Sequence, residues 1–383
     1  MHVFHGFVFA DGLVTFASNR INAPVPDGMD SSSEGAQAEH IDEGASVLIV
    51  GVSWLGDSIM TMPAIQAYRR LNPGTRLIML AKPGCCDLWS MNSAVDEVLE
   101  CPATISGLLH AAGIVRRQKV SMAFVLPHSF RSAVVPFLAR IPQRVGFSGY
   151  QRDWMLTRVV SSQSVPGRKH QCYEYMNLMG ISDGIPEMPR LTVPKEVFEN
   201  MRRRPTCSDL IRRVLGDGSD VKLIGLVPGA AYGPSKRWPA DFFSETARML
   251  KNAVNCCILV FGSRVEREIC DQVVQAIGSS AINLAGQTSV PELAALFSQC
   301  ALVIANDSGG MHLAAAVGTP VVAIFGITDS DKTGPLGSNN CVLQDSLIRN
   351  RDLERVSESA AASLDMIRPE RVFKEACKLL AID

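Results

Sequence analysis

A chain of 383 residues, 47% hydrophobic, with 37 basic against 38 acidic side chains, is too long for one compact core and fits about two domains. The apolar fraction excludes global disorder and a disulfide-stapled miniprotein, and 11 cysteines with no CxxC spacing argue against a zinc site. No stretch reaches the roughly 18 uninterrupted apolar residues of a membrane helix.

The balanced total conceals an asymmetry. Residues 1–45 hold seven acids and one base, residues 46–215 hold 21 bases and 12 acids, and residues 216–383 hold 15 bases and 19 acids. A basic middle third can draw an anionic partner toward a cleft; scattered solvated charge is the bland alternative. The cysteines sit in apolar runs such as Cys256-Cys257-Ile258-Leu259-Val260, where reduced thiols serve as small core residues, and a reducing cytoplasm fits. The first 45 residues lack a basic leader and run into NAPVPDGMDSSSEGAQAEHIDEG, the composition of a mobile extension.

From Ala45 the pattern becomes regular. Ser46–Val50 is a continuous apolar run ending at Gly51, which predicts a buried parallel strand. A helix is predicted from about Asp57 to Leu71, stopped by Asn72-Pro73-Gly74. Leu77–Leu80 and Ala123–Leu126 continue the series as strands. A second series starts at Lys222–Val227, followed by a helix from Pro239 to about Lys251 and a strand Cys257–Phe261. Ser289 and Glu292 have capping-box spacing and open a helix to about Gln299. Leu302–Ala305 then leads through Asn306-Asp307-Ser308-Gly309-Gly310 into a helix Met311–Val317, and Val321–Phe325 returns as a strand. Two successive α/β domains with parallel sheets follow, with boundaries at 46–215 and 216–383. Ligands in such sheets bind beyond the carboxyl ends of the strands, so the loops of interest are 51–57, 126–131, 228–238, 262–266, 286–288 and 306–312.

GVSWLGDS after the first strand is close to a dinucleotide fingerprint, but the next strand ends at Ala81-Lys82 with no acid for a ribose diol, which disfavours a nicotinamide oxidoreductase. Asp57 is either a first-turn acid or a general base facing the cleft. VPGAAYGPSKRWP combines small residues with Lys236 and Arg237: a phosphate site without a Walker ending, or an exposed basic loop. In NDSGGMH, Ser308, Gly309 and Gly310 open a helix whose free amides suit a diphosphate, flanked by Asp307 and His312.

GVSWLGDS, LPHSFRSAVVPFLARIPQRVGF, PGAAYGPSKRWP, FGS, LAGQTS and NDSGGMHLAAA occur in that order. Together they resemble the ADP-heptose:lipopolysaccharide heptosyltransferase family, and within it the heptosyltransferase II branch, from about Val47 to Leu380. The resemblance implies a GT-B fold: two facing Rossmann-like domains with the active site in the cleft between them. It implies transfer of heptose from ADP-L-glycero-D-manno-heptose to the heptosyl-Kdo2-lipid A inner core, with inversion, no metal and no cofactor. By position, Asp57 falls on the family's catalytic carboxylate and Lys236 on the lysine that meets the donor diphosphate. Asp307, Ser308, Gly309, Gly310 and His312 fall on the donor-binding loop, Glu266 near the ribose and Thr288 near the adenine. Ser53, Trp54, Gly56, Ser129, Arg131 and Arg144 are assigned to the acidic glycolipid acceptor. The resemblance further implies a cytoplasmic enzyme in peripheral contact with the inner membrane and without a nucleic-acid partner. The chain departs from the family pattern in its 45-residue extension and in reading Ile327-Thr328-Asp329 where members commonly have a proline-containing turn. The alternatives are another GT-B enzyme using a different ADP-sugar or core acceptor, such as heptosyltransferase I, and a non-catalytic sugar-nucleotide-binding protein.

Overall fold

The computed structural model describes residues 44–149, 151–162, 168–181, 184–203, 221–346, 349 and 356–382. The predicted extension, apart from Gly44 and Ala45, and the predicted boundary at 215/216 lie outside the described residues.

The first half alternates strand and helix: β1 (Ser46–Val50), α1 (Leu55–Leu71), β2 (Arg76–Ala81), α2 (Pro83–Ser90), β3 (Glu97–Glu100), α3 (Ile105–Arg117), β4 (Met122–Val125), α4 (Phe130–Leu138), β5 (Gln143–Phe147) and β6 (Arg158–Val160). α5 (Cys172–Leu178) and α6 (Lys195–Arg203) follow. The second half repeats the grammar with β7 (Lys222–Val227), α7 (Ala240–Ala253), β8 (Cys256–Val260), α8 (Arg267–Ile277), β9 (Ala281–Asn283) and α9 (Val290–Gln299). It continues through β10 (Leu302–Asn306), α10 (Gly309–Ala316), β11 (Val321–Phe325), α11 (Ser330–Thr333), β12 (Asn340–Gln344), α12 (Glu358–Asp365) and α13 (Pro369–Leu380).

Each half builds one six-stranded sheet, ordered β3-β2-β1-β4-β5-β6 and β12-β11-β10-β7-β8-β9. Every strand pair is parallel. Both are doubly wound, and their strand order reverses between β1 and β4 and between β10 and β7. The loops leaving those four strands therefore open at topological switch points, where such sheets bind ligands.

The strands β1, β7, β10 and β11 are buried along nearly their whole length, as continuous apolar runs covered on both faces must be. One apolar cluster runs from the inner face of the first sheet (Val47, Ile49) through Ile59 and Met62 of α1 to Met311 of α10 and Val303 of the second sheet. The outer face of the first sheet is covered by α3 and α4 through Ala111, Val115, Ala133 and Val135. That of the second is covered by α7, α8 and α13 through Phe243, Val273 and Val372. The predicted capping box is present: Ser289 accepts from the Glu292 amide, and Glu292 accepts from Ser289 N at 2.8 Å. No described helix is long and apolar enough to cross a membrane.

Candidate active site

The cleft is framed by two helix starts that meet head to head. α1 begins at Leu55 with Trp54 extended before it and no side-chain cap. α10 begins at Gly309 after an extended Ser308, also without a side-chain cap. A Cβ placed on Gly56 would lie 2.9 Å from His312 Cδ2, and one on Gly309 would lie 3.0 Å from Leu55 Cβ and 3.4 Å from Gly56 N. Glycine at both positions is thus a condition of the approach. It brings two positive helix ends, with first-turn amides that have no intrahelical acceptor, to one place. The Ser308 hydroxyl is buried and makes no hydrogen bond within the described residues.

A cavity of about 270 Å³ opens there, and Trp54, Gly56, Asp57 and Met60 line it from α1. The facing wall is Ala231, Tyr232 and Lys236 from the loop after β7, and Asp307, Ser308, Gly309 and His312 from the loop after β10; Thr333 of α11 completes it. Asp57 sits in the first turn of α1, where the helix dipole stabilises a carboxylate.

Lys236 is held on this wall by its local chain. Gly233 has φ 135°, a conformation open only to glycine, and the chain then makes a single 3-10 turn over Pro234–Lys236. The fully buried Asn306 fastens the loop at both ends: its Nδ2 donates to Pro228 O at 2.8 Å and its Oδ1 accepts from Trp238 N at 3.0 Å. The buried Trp238 indole donates to Ile367 O at 2.8 Å. Lys236 Nζ then lies 2.6 Å from Asp307 Oδ2, with the lysine 19% and the aspartate 8% exposed. In this setting the carboxylate orients the ammonium without removing it from the cavity.

His312 is a neutral imidazole. Burial pushes its pKa from 6.5 down to about 3, and the neighbouring His170 and Lys236 further disfavour its protonation. It can give or take one hydrogen bond but brings no charge, so the cation of the site is Lys236. His170 accepts from Cys172 N on Nδ1 at 3.2 Å, which leaves Nε2–H to donate to Gly334 O at 3.0 Å. The same segment sends Gln171 N to Lys332 O at 2.9 Å and pairs Glu174 with Lys332 at 3.0 Å. This strap ties the first half to α11 and sets the position of Thr333.

A second, smaller pocket of about 90 Å³ lies at the carboxyl ends of the first sheet alone, lined by Ser53, Lys82, Ala103, Leu108, Ser129 and Arg131 among others. Arg131 Nη2 reaches Pro102 O at 3.3 Å and Thr104 O at 3.4 Å. Its floor is fixed by Arg152, whose side chain is fully buried and donates to Phe147 O at 2.6 Å, Ser132 Oγ at 2.7 Å, Ser129 O at 3.2 Å and Pro127 O.

Of the residues chosen from sequence, Trp54, Gly56, Asp57, Lys236, Asp307, Ser308, Gly309 and His312 meet at the one cavity, and Ser53, Ser129 and Arg131 meet at the second pocket. Arg144 lines neither pocket. It stands level with Leu48, mid-strand in β1, and its guanidinium is spent on Met155 O at 2.6 Å and on Ile141 O, so it reaches neither pocket. Gly310 packs inward, its Cβ position 3.1 Å from Val227 Cγ1. Glu266 and Thr288 line neither cavity. The Glu266 carboxylate accepts from Ser263 N at 2.7 Å and Ser263 Oγ at 2.6 Å, while Thr288 precedes the cap of α9. Met60, Ala231, Tyr232 and Thr333 also line the cavity, and Asn306, Arg152 and His170 serve as supports, though none of them is a candidate by sequence. Only Asn306, a polar residue ending an apolar strand, carried a signal of its role. Among the described residues no group of three or more His, Cys, Asp or Glu side chains is arranged to hold a metal ion.

Two doubly wound halves joined at a cavity with a carboxylate on one wall and a lysine with free helix amides on the other define a glycosyltransferase of the GT-B class. The sequence profile of glycosyltransferase family 9 (heptosyltransferase) matches residues 111–361, and the chain belongs to this family. The lipopolysaccharide heptosyltransferase 2 of Salmonella typhimurium is 30% identical over 350 residues, covering 88% of this chain and 98% of that protein. The lipooligosaccharide heptosyltransferase 2 of Haemophilus influenzae is 30% identical over 353 residues, covering 88% and 99%. The solved structure of the E. coli ADP-heptose LPS heptosyltransferase II superposes with a TM-score of 0.73 at 28% identity, covering 88% of this chain and 98% of its own.

Proposed function

We propose that this glycosyltransferase moves heptose from ADP-L-glycero-D-manno-heptose onto the heptosyl-Kdo2-lipid A inner core of lipopolysaccharide, with inversion of the anomeric carbon and Asp57 as general base. The names of the similar proteins support the donor and acceptor class. The observation that carries the mechanism is the shared cavity, with Asp57 on the first half and Lys236, Ser308 and the α10 amides on the second.

The chemistry follows from that placement. A sugar hydroxyl is a poor nucleophile until a carboxylate takes its proton as the new bond forms, an effect of about 10²–10⁴ in rate. The acceptor oxygen bonds to the anomeric carbon, the bond from that carbon to the diphosphate oxygen breaks, and the proton passes to Asp57. The charge growing on ADP meets the Lys236 ammonium, the first amides of α10 and the Ser308 hydroxyl. Base and leaving group held by different halves suit attack from the side opposite the departing diphosphate. In this reading residues 216–383 hold the donor and residues 46–215 the acceptor, whose acidic groups meet Lys82 and Arg131 in the second pocket. The enzyme then works peripherally at the cytoplasmic face of the inner membrane.

The test is transfer itself. Purified protein with ADP-heptose and the heptosylated Kdo2-lipid A acceptor is expected to yield elongated glycolipid and ADP, and Asp57→Ala to abolish transfer while retaining ADP binding. Near-normal turnover by Asp57→Ala refutes the assignment of the base, and failure with every core acceptor by folded protein refutes the substrate.

A further inference from the structure

We infer that the outer layer of the first half, built from α3, α4 and the turn bearing Trp154, is a docking surface for an anionic phospholipid bilayer. The inference deepens the glycolipid reading above, but it stands on separate observations and is measured without either substrate.

The first observation is a group of exposed apolar side chains gathered on one layer. The inner side of α3 packs Ala111, Ala112 and Val115 on the sheet. Its outer stripe, at spacings of four, four and three, is Ile105, Leu109, Gly113 and Arg116, which share one side of a helix. Ile105 is 76% and Leu109 58% exposed, and on the neighbouring helix Phe130 is 46% and Leu138 41% exposed. Trp154 is 63% exposed and sets its ring edge-on to Phe137 of α4 at 5.0 Å. These side chains lie on neighbouring helices and the adjoining turn as a patch of aliphatic and aromatic groups, a composition that suits the boundary of a bilayer.

The second observation is charge. No Asp or Glu occurs between Glu100 and Asp153, while seven Arg or Lys do. Three of the seven turn inward onto backbone carbonyls: Arg131, Arg144 and Arg152. The other four, Arg116, Arg117, Lys119 and Arg140, are exposed at the far ends of α3 and α4, and among the described residues no carboxylate pairs with any of them. Aliphatic and aromatic side chains beside unpaired cations are the composition of a surface that binds anionic lipid headgroups.

The third is position. Arg131 joins the starts of α4 and α3 through Pro102 O and Thr104 O, and Leu108 of α3 lines the pocket that also holds Lys82 and Arg131. A headgroup seated there keeps its acyl chains beside the exposed Ile105, Leu109 and Phe130. Docking through this layer leaves the second half and its cavity wall on the solvent side.

The full chain is mixed with sedimenting vesicles of phosphatidylglycerol and phosphatidylethanolamine, and separately with phosphatidylcholine, over a range of salt. Binding is expected to the anionic vesicles alone and to weaken as salt rises. Each cation near such a surface counts for about fivefold in affinity, so Arg116→Glu with Arg117→Glu is expected to lower binding at least about tenfold. Ile105→Ser with Leu109→Ser is expected to lower it as well, with Tm and ADP affinity unchanged in both variants. Wild-type protein that ignores anionic vesicles, or charge-reversed protein that binds them normally, overturns the inference. So does concentration-dependent dimerisation that the same substitutions abolish, since it assigns the layer to a second copy of the chain. Failure of heptosyl transfer would refute the proposed reaction and leave these readings intact.

Discussion

Asn306 holds no ligand in this account, yet the position of Lys236 depends on it. Its amide is fully buried and bridges Pro228 O at 2.8 Å and Trp238 N at 3.0 Å. Asn306→Ala leaves a carbonyl and an amide without partners inside the protein, at about 1–3 kcal/mol each, so a loss of about 2–6 kcal/mol is expected. That is a large share of the roughly 5–15 kcal/mol that holds a typical domain folded, but the chain should remain native in the cold. Trp238 keeps its bond to Ile367 O, so the slack falls on residues 228–237 and Lys236 loses its fixed place. Urea unfolding gives the stability change, and calorimetric titration with ADP well below the transition is expected to show affinity reduced about tenfold or more. Thr319→Val is the control: that hydroxyl is buried and donates to Phe297 O at 2.6 Å, away from the cavity, and its loss should cost stability without changing ADP affinity. A change below about 1 kcal/mol for Asn306→Ala, with ADP bound as before, refutes the claim that this residue positions the lysine.

Lys236→Ala removes the cation of the site and strands the nearly buried Asp307 carboxylate. ADP affinity is expected to fall by more than tenfold, with a stability loss of about 1–3 kcal/mol from the unsatisfied buried acceptor, read by the same titration and melt. Arg152→Ala leaves Phe147 O and Pro127 O unmet under the second pocket. The two unmet carbonyls should cost about 2–6 kcal/mol in all and weaken acceptor use while sparing ADP binding, a split that steady-state kinetics resolves. For His312 the folded value of about 3 lies below the ordinary 6.5. The unfolded chain therefore takes up a proton that the folded one refuses, and stability present above pH 6.5 drains away as pH falls toward 3, by on the order of 1 kcal/mol per unit. Thermal melts from pH 7 to 4.5 should slope less in His312→Gln; identical slopes contradict the neutral, buried imidazole.

The parts of the fold that could be read in advance were those where burial on both faces leaves a continuous apolar run. β7 and β11 begin and end where their sequences suggest, because nothing but a central parallel strand buries Lys222–Val227 or Val321–Phe325 so fully. β3 and β6 were missed for the converse reason: Glu97–Glu100 and Arg158–Val160 are short edge strands, half exposed, with no apolar run to mark them. Helix starts were also read late. α1 and α10 each begin two residues before the predicted start, because Leu55-Gly56 and Gly309-Gly310 look like loop in sequence, their glycines being set by the close approach of the two helix ends.

The site divides in the same way. Asp57, Lys236, Asp307 and Ser308 follow strand ends in one chain, so topology alone brings them to the switch points. Arg144 and Arg152 could not be ranked from spacing, since what separates them is which carbonyls each guanidinium meets. Thr333 comes to the cavity through the strap of His170, Gln171 and Glu174, a contact between segments more than 150 residues apart that no local pattern records.

The most direct test of the central claim is a structure of the protein with an unreactive ADP-heptose analogue. The diphosphate is expected against Lys236 and the first amides of α10, with the sugar between that wall and Asp57. A diphosphate seated instead beside Lys82 and Arg131 in the first half would contradict it.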